Sequence, residues 1–565
     1  MSSGDQEWRQ LVALLNAGRI DELLVKAKPL VKKNPKAGPL QGVFGTALAR
    51  KGRLDDAEKY LRRSVRLAPR LAFSHLNLAN VCFTRKSFED AARHYETFLK
   101  LEPANKQAAF KLAEALLLSN NLPAARVKFE DIVSEDDQNA SAWFLLGSVH
   151  RQMKEDDNAL RCFHKTVEME PEHAKALFNL GNIYRDLGQT ETALNHFKDA
   201  LSLRPDHLPT RLNIALCHIH LQEMTEALAT LDEAIDLDPE NPEPRYLQST
   251  ALFLSGHLKP GFQAAEWRHR LPDEYRKLYN GTEPDWDGEA SLAGKRLIVH
   301  AEQGFGDTLM MLRFLSFLPS RDCHITVIVQ RGLKSLIETN YPDFDVCEFL
   351  NNRTGGLPSR IAADFQCSLM SLAHLTRSQW DTPPTYERYL QADDSHVAKW
   401  KDRITCANRK VIGIVWRGNP THRNDRNRSL DLETLLACLS PEHHYVVLQK
   451  DPSPEELALI SDASTLSIQH AAIKTFDDTA GLCMALDYLF TVDTSVAHLG
   501  GALGVPSFVL IPTHPDWRWG LMGTDNIWYP SVRLIRQREF GRWEPCIRAA
   551  MTLVGAADVQ SPSGK

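Results

Sequence analysis

One period governs the first half of this chain. Proline returns every 34 residues, at Pro35, Pro69, Pro103, Pro171, Pro205 and Pro239, with one missed beat at Asp137. In the same register Gly45, Ala79, Ala113, Gly147, Gly181 and Ala215 are all small, and so are Ala57, Ala91, Ala125, Ala159, Ala193 and Ala227. A proline lacks the backbone donor and ends a helix. A small side chain lets two helices approach closely. The phased columns therefore spell a helix–turn–helix unit in tandem. Such units bury only neighbour-to-neighbour surface and stack into an open solenoid rather than closing around one core.

A 34-residue unit of this pattern is the tetratricopeptide repeat. Its clearest copy is 174–207, with Gly181, Tyr184, Ala193, Phe197, Ala200 and Pro205 in place. Six regular repeats span 38–241, and degenerate caps are expected at 4–37 and 242–275, so an all-α solenoid is expected over 1–275. Its concave groove suits an extended peptide or protein; the plainer use is a spacer or oligomerisation arm. Asn77, Asn80, Asn179, Asn182 and Asn213 fall on the helix phase expected to face the groove. An amide both donates and accepts, so a row of them can hold a peptide backbone without reading its side chains. The row resembles the asparagine ladder of the O-GlcNAc transferase superhelix, interrupted here by Lys111 and Leu145. These five asparagines are the candidate acceptor-binding residues.

Beyond Tyr275 the period fades, and 276–294 reads as a linker rich in Gly, Pro and Asp. Apolar strands follow at 295–300, 324–330 and 344–349. After a second loop-rich zone others follow at 411–416, 445–449, 466–470, 488–492 and 507–511. Helical stretches at 307–318, 478–486 and 495–503 lie between them. Alternation of this kind predicts parallel sheet covered on both faces. It restarts near Lys410, which gives two Rossmann-like halves, 295–394 and 395–552, and a flexible tail at 553–565. Open α/β sheets bind ligands beyond the carboxyl ends of their strands. The cleft between the halves is the expected site.

Several function classes are set aside. Lys+Arg number 66 against 72 Asp+Glu, a formal charge of −6, which gives no support to nucleic-acid binding by bulk charge. Ten scattered cysteines show no zinc spacing and read as reduced thiols of a cytoplasmic protein. No secretory segment and no run of eighteen apolar residues is present, so no membrane span is expected. P-loop, G-x-S-x-G and H-E-x-x-H patterns are missing. His218 and His220 point apart on a helix. The acidic pairs Asp285/Asp287 and Asp343/Asp345 do not sit at strand ends beside other ligands, so no metal is expected.

What remains is a set of strand-end turns. Gly304 and Gly306 follow the strand 295–300 and precede a helix that begins near Asp307. Glycines allow close ligand approach and a helix N-terminus attracts anions. Asp307 by spacing alone reads as a helix cap. Asp493, Thr494, Ser495 and His498 repeat the layout in the second half, where a phosphate site competes with a cap and a buried histidine. Arg417 and Lys450 follow two further strands, so a shared cleft collects their charges. The loop Asp516, Trp517, Arg518, Trp519, with Trp528 and Tyr529, can wall a sugar or pack as core. The basic run 423–428 suits a solvated loop or a phosphate clamp.

Taken together, Glu302-Gln303-Gly304-Phe305-Gly306-Asp307, Trp416-Arg417-Gly418-Asn419-Pro420, Gln449-Lys450 and Val492-Asp493-Thr494-Ser495-Val496-Ala497-His498 resemble bacterial tetratricopeptide glycosyltransferases. Trp286-Asp287-Gly288 and Pro515-Asp516-Trp517-Arg518-Trp519 look like further signatures of that group. The catalytic part is similar to heptosyltransferase-like GT-B enzymes, and the whole resembles the alphaproteobacterial flagellin glycosyltransferases. The resemblance implies an α/β GT-B fold behind the solenoid and metal-independent sugar transfer from a nucleotide donor to Ser/Thr of a protein, flagellin above all. It implies no cofactor beyond that donor. The sugar it points to is a nonulosonic acid such as pseudaminic acid, and the nucleotide CMP. It makes Asp307 the base, and makes Gly304, Gly306, Arg417, Lys450, Asp493, Thr494, Ser495 and His498 the donor site. Gly500-Gly501 and Arg417 depart from the family's pattern. Two rivals stand beside this reading: an adaptor or chaperone with an inactive GT-B part, and a transferase acting on lipid or polysaccharide.

Overall fold

A computed structural model of the chain describes residues 3–271, 278–319, 322–404, 406, 408–420, 425–463, 466–470 and 473–559. It divides into two compact units, Met1–Thr210 and Arg211–Lys565.

Antiparallel helix pairs run from Ser3–Asn16 to Leu258–Ala265, sixteen helices among the described residues, so the expected caps at both ends are helical. The small columns work by accommodation. A Cβ at Gly147 would come within 2.8 Å of the Phe163 ring, and one at Gly181 within 2.6 Å of Phe197, so each small residue of a first helix receives a large one from the second. The missed proline beat costs nothing visible. The helix Leu122–Glu135 stops on Asp136 all the same, and Asn139 caps the next helix through an N–H from Ala142 at 3.0 Å. Each pair turns through a residue in the left-handed region, again 34 apart: Gly18, Gly52, Lys86, Asn120, Lys154, Gly188, Gln222 and Gly256.

Two parallel sheets make up the α/β part. The first holds β1 (Lys295–His300), β2 (Cys323–Val329), β3 (Asp345–Glu348) and β4 (Phe365–Ser368) in the order β3-β2-β1-β4. The second holds β5 (Val411–Val415), β6 (His444–Val447), β7 (Ser467–His470), β8 (Tyr488–Val492), β9 (Ser507–Ile511) and β10 (Val532–Arg536) in the order β10-β9-β8-β5-β6-β7. The second order is the doubly wound 3-2-1-4-5-6, with its switch point between β5 and β8; the first is its truncated counterpart, with the switch between β1 and β4.

The structure corrects several expectations. Strands β4 and β10 add to the expected set. The helix expected over 307–318 starts earlier, at Phe305, and gives way after Met311 to 3₁₀ turns over Leu312–Phe317. The expected tail is helical through Val559, because the C-terminal helix Glu544–Val559 packs on β9 and β10; the remainder lies outside the described residues. Most of the described linker is fixed structure. Trp286 N–H donates to Gln366 O at 2.7 Å and Gln366 N–H to Pro284 O at 3.0 Å, adding a bridge beside β4. The Trp-Asp-Gly motif closes a turn there: Asp287 accepts from Glu289 and Ala290 N–H, and Gly288 has φ +81° with no room for a Cβ beside Leu375 O.

One apolar core joins the last helical pair to both sheets. Phe253 and Phe262 share it with Phe314, Trp380 and Trp528. Trp517 stacks on Phe253 at 4.2 Å and meets Phe262 edge-on at 5.9 Å. The solenoid pattern therefore ends near 265, while the compact unit that holds its last helices is the one that holds the sheets.

Candidate functional site

The turns after β1, β5, β8 and β9 open into one cavity of about 1470 Å³. The helix Phe305–Met311 of the first half packs against Ser495–Leu503 of the second. The contact is close because Gly306 has no side chain: a Cβ there would lie 2.8 Å from His498 Cδ2. Gly304 lets the chain leave β1 in extended conformation and enter the helix.

Asp307 serves two partners at once. Its Oδ2 accepts the Gly304 N–H at 2.9 Å, which is the capping role spacing suggests, and its Oδ1 accepts from Arg518 Nη2. Arg518 also donates from Nη1 to Asp516 Oδ1 at 2.7 Å. Burial opposes the Arg518 charge, but Asp307 and Asp516 outweigh it and hold its pKa above the ordinary value. Burial and the neighbouring Asp516 raise the Asp493 pKa. Asp516 is held low against burial by Arg518.

Thr494 is the N-cap residue of Ser495–Leu503, with its hydroxyl 3.2 Å from that of Thr491 and no side-chain bond to its own helix. The first N–H groups of a helix lack intrahelical partners. These, with the Thr494 and Ser495 hydroxyls, line the cavity. Lys450 is exposed on the same cavity and has no ion pair among the described residues.

Two expected phosphate ligands are placed differently. Arg417 is engaged by Glu456, with Nε to Oε1 at 2.8 Å and Nη2 to Oε2 at 2.9 Å, and it also donates to Asp451 O. Burial would raise the Glu456 pKa, but hydrogen bonds led by Arg417 bring it down to about 2. Arg417 thus lends its backbone and Gly418 to the cavity more than its charge. His498 is buried, hydrogen-bonded through Nδ1 to Tyr529 Oη at 2.9 Å and stacked on Trp519 at 5.0 Å. Burial, then Arg518, lowers its pKa from 6.5 to about 3, so it is neutral near pH 7 and is not a cationic ligand.

A folded-state pKa below the unfolded value means that the unfolded chain takes up the proton first. The stability this depression protects is present above pH 6.5 and is lost as pH falls toward about 3. His498→Gln is expected to shrink that acid-side loss, measured by urea unfolding across the window; an unchanged profile would refute the assignment.

The aromatic loop is core for the most part. Trp519, Trp528 and Tyr529 are buried, while Trp517 shows one edge to the cavity. Of the basic run, 425–428 is one short helical turn, Arg428 approaches Asp425 at 3.5 Å, and 423–424 lie outside the described residues. The asparagine row is only partly available. Asn77 Nδ2 donates to Phe73 O at 2.7 Å in its own helix and Asn80 Oδ1 accepts from Tyr95 Oη at 2.6 Å. Asn179 and Asn182 are half-exposed with no side-chain partner among the described residues, and Asn213 is half-exposed.

Glu302, part of the first turn's motif but given no role by it, and Glu456 hold two of the turns from beneath. Arg268 is 3% exposed and Glu302 6%. They pair through Nε–Oε1 at 2.9 Å and Nη2–Oε2 at 3.0 Å. The sequence signals for Glu302 are its place just after a strand and at the head of the glycine-turn motif; Arg268 and Glu456 carry none. The described residues contain no group of three or more His, Cys, Asp or Glu side chains suited to a metal, and no helix long and apolar enough to cross a membrane.

The family models that match lie in the helical part. The tetratricopeptide repeat family model matches residues 43–92 and 76–140, and the model described as anaphase-promoting complex, cyclosome, subunit 3 matches 152–234. Among curated proteins the chain is similar to Protein FlbA of Caulobacter vibrioides, 26% identical over 328 residues, 54% of this chain and 54% of that protein. The chain thus spans about half the length of the curated relative it matches. Among solved structures it is similar to YrrB, a TPR protein with an unusual peptide-binding site (21% identity, 33% of this chain and 95% of that one, TM-score 0.30). It is also similar to the Naa15/Naa10 complex bound to HypK-THB (18% identity, 56% and 48%, TM-score 0.32).

Proposed function

We propose that this tetratricopeptide-repeat protein is a cytoplasmic protein O-glycosyltransferase with a GT-B catalytic part, moving a sugar from a nucleotide donor to Ser or Thr of a protein. The acceptor is flagellin and the sugar a nonulosonic acid carried on CMP, as the family resemblance suggests. One observation carries the reading: the Gly304–Asp307 turn of one doubly wound half and the Asp493–Ser495 turn of the other face a single cavity that Lys450 also lines.

The chemistry assigns each side a task. The acceptor hydroxyl attacks the anomeric carbon, the bond from that carbon to the donor phosphate breaks, and the hydroxyl proton passes to Asp307. Arg518 must yield Oδ1 as the hydroxyl arrives, since both carboxylate oxygens are otherwise engaged. Positioned base catalysis contributes roughly 10²–10⁴-fold. The departing phosphate gathers negative charge where the helix N-terminus at Thr494–Ser495 and the Lys450 ammonium lie, the arrangement that stabilises a leaving anion.

Lys450→Ala is expected to weaken nucleotide binding by about 1.5–3 kcal/mol, the value of a charge-assisted bond. Calorimetry with CMP, UDP, GDP and ADP measures this and identifies the base; equal affinity in variant and parent would remove Lys450 from the donor site. Replacing Asn179, Asn182 and Asn213 together by Ala is expected to weaken acceptor binding and spare nucleotide binding. The class itself is tested by intact mass of flagellin and other secreted proteins from cells with and without this chain. A sugar-sized loss on one protein supports transfer; normal masses beside intact acceptor binding favour the adaptor reading.

A further inference from the structure

In a doubly wound sheet the crevice at the switch point is where a ligand ordinarily sits. In the first half the protein's own Arg268 spans that position, bonding to residues just beyond β1 and just beyond β4. This arginine lies in the 3₁₀ turn Glu266–Arg270 that follows the last repeat helix. Its guanidinium donates to Glu302, two residues before Gly304 on the β1 turn, and to Ser371 Oγ at 2.8 Å, just beyond β4. It also reaches Glu266 Oε1 at 2.6 Å and Ala265 O at 3.0 Å on its own element. Ser368, the last residue of β4, donates to Glu302 Oε2, and Ser371 donates to Glu266 Oε2 at 2.8 Å.

Three elements distant in sequence are thereby locked by one buried cation. Both carboxylate oxygens of Glu302 are committed to the lock, which ties the start of the turn leading into Gly304 and Asp307 to β4 and to the end of the repeats. Arg268 and Glu302 border the cavity, with the charged atoms of each turned to the other, and the proposed chemistry gives neither a proton to carry or a phosphate to hold.

We propose that Arg268 and Glu302 are positioning residues: the end of the repeat array occupies the first sheet's switch-point crevice in place of a ligand and thereby sets the geometry of the Gly304–Asp307 turn. The kinetic consequence rests on Asp307 acting as base; the structural one does not. A donor finds its switch-point site only in the second half, and the first half contributes a held carboxylate.

The test uses the full chain. Arg268→Met alone leaves Glu302 buried without its cation and is expected to destabilise. Arg268→Met with Glu302→Leu removes the buried pair and leaves the part-exposed Glu266 beside His269, and apolar replacement of a buried pair commonly preserves folding. This double variant is expected to unfold within a few degrees of the parent and to bind free nucleotide with affinity changed less than about twofold. The amides of 302–308 are expected to exchange hydrogen at least about tenfold faster, and kcat to fall at least about tenfold with the donor KM unchanged. Ser371→Ala, which removes one arm of the lock, is expected to show the same pattern in weaker form and serves if the double variant fails to fold. Parental exchange rates at 302–308 in a folded variant would overturn the positioning role. Faster exchange with no transfer by the parent itself would leave the lock standing and sink the transferase reading instead.

Discussion

Asp307→Asn is expected to lower turnover by at least about 10²-fold while leaving nucleotide affinity close to that of the parent. The substitution isolates the proton-accepting role. The asparagine carbonyl still accepts the Gly304 N–H, so the helix keeps its cap. Arg518 keeps Asp516, so the lost ion pair does not strand a lone buried cation. Only the charge that drives proton transfer goes. Single-turnover transfer followed by intact mass separates this from a binding defect. Near-parental turnover would return Asp307 to the cap that its spacing first suggested, and Asp493, whose pKa burial and Asp516 raise, would become the next carboxylate to test.

The repeat half was legible because its physics is local. Packing of Gly181 on Phe197 lies within one 34-residue window, and so does each cap. Even there the turn residues escaped notice: Lys86, Asn120, Lys154 and Gln222 take a left-handed conformation that their side chains do not advertise as glycine would. Strands β1, β8 and β9 were readable as bounded apolar runs. Strand β4, with Gln366 and Cys367 inside a four-residue span, and β10, with Arg533 and Arg536 inside a five-residue one, carry too little apolar pattern to stand out. The turns of the site could be found one at a time, since each sits between a strand and a helix. Their partners could not. Asp307 meets Arg518 across 211 residues and Arg417 meets Glu456 across 39, and no spacing rule links them. His498 shows the limit most plainly. A histidine one turn into a helix suits a phosphate ligand equally well until Trp519 and Tyr529 are seen to enclose it.

Cutting the chain between the repeats and the sheets at the place the sequence suggests is expected to leave the α/β part with little or no folding stability. A fragment from residue 280 onward keeps every strand and every strand-end turn. It nevertheless loses Arg268, which leaves Glu302 buried beneath the site without its cation, and breaking a buried pair in this way costs roughly 3–5 kcal/mol. It also loses Phe253 and Phe262, which cover Trp517, Phe314 and Trp380, and each buried side chain of that size contributes about 1.5–3 kcal/mol. Domains of ordinary stability hold about 5–15 kcal/mol in total, so these losses together consume most or all of the margin. A fragment that begins at residue 208 keeps the helices Pro242–Leu254 and Leu258–Ala265 and the turn that carries Arg268, and is expected to unfold cooperatively and to bind nucleotide. The two fragments therefore differ by residues 208–279, which hold the last four repeat helices and the turn that carries Arg268, and by the whole of the fold. Thermal unfolding and nucleotide titration of both decide the matter. A cooperative transition of the shorter fragment within a few degrees of the longer one would show that the last repeats merely adjoin the sheets, and that the buried Arg268–Glu302 lock contributes nothing to holding them.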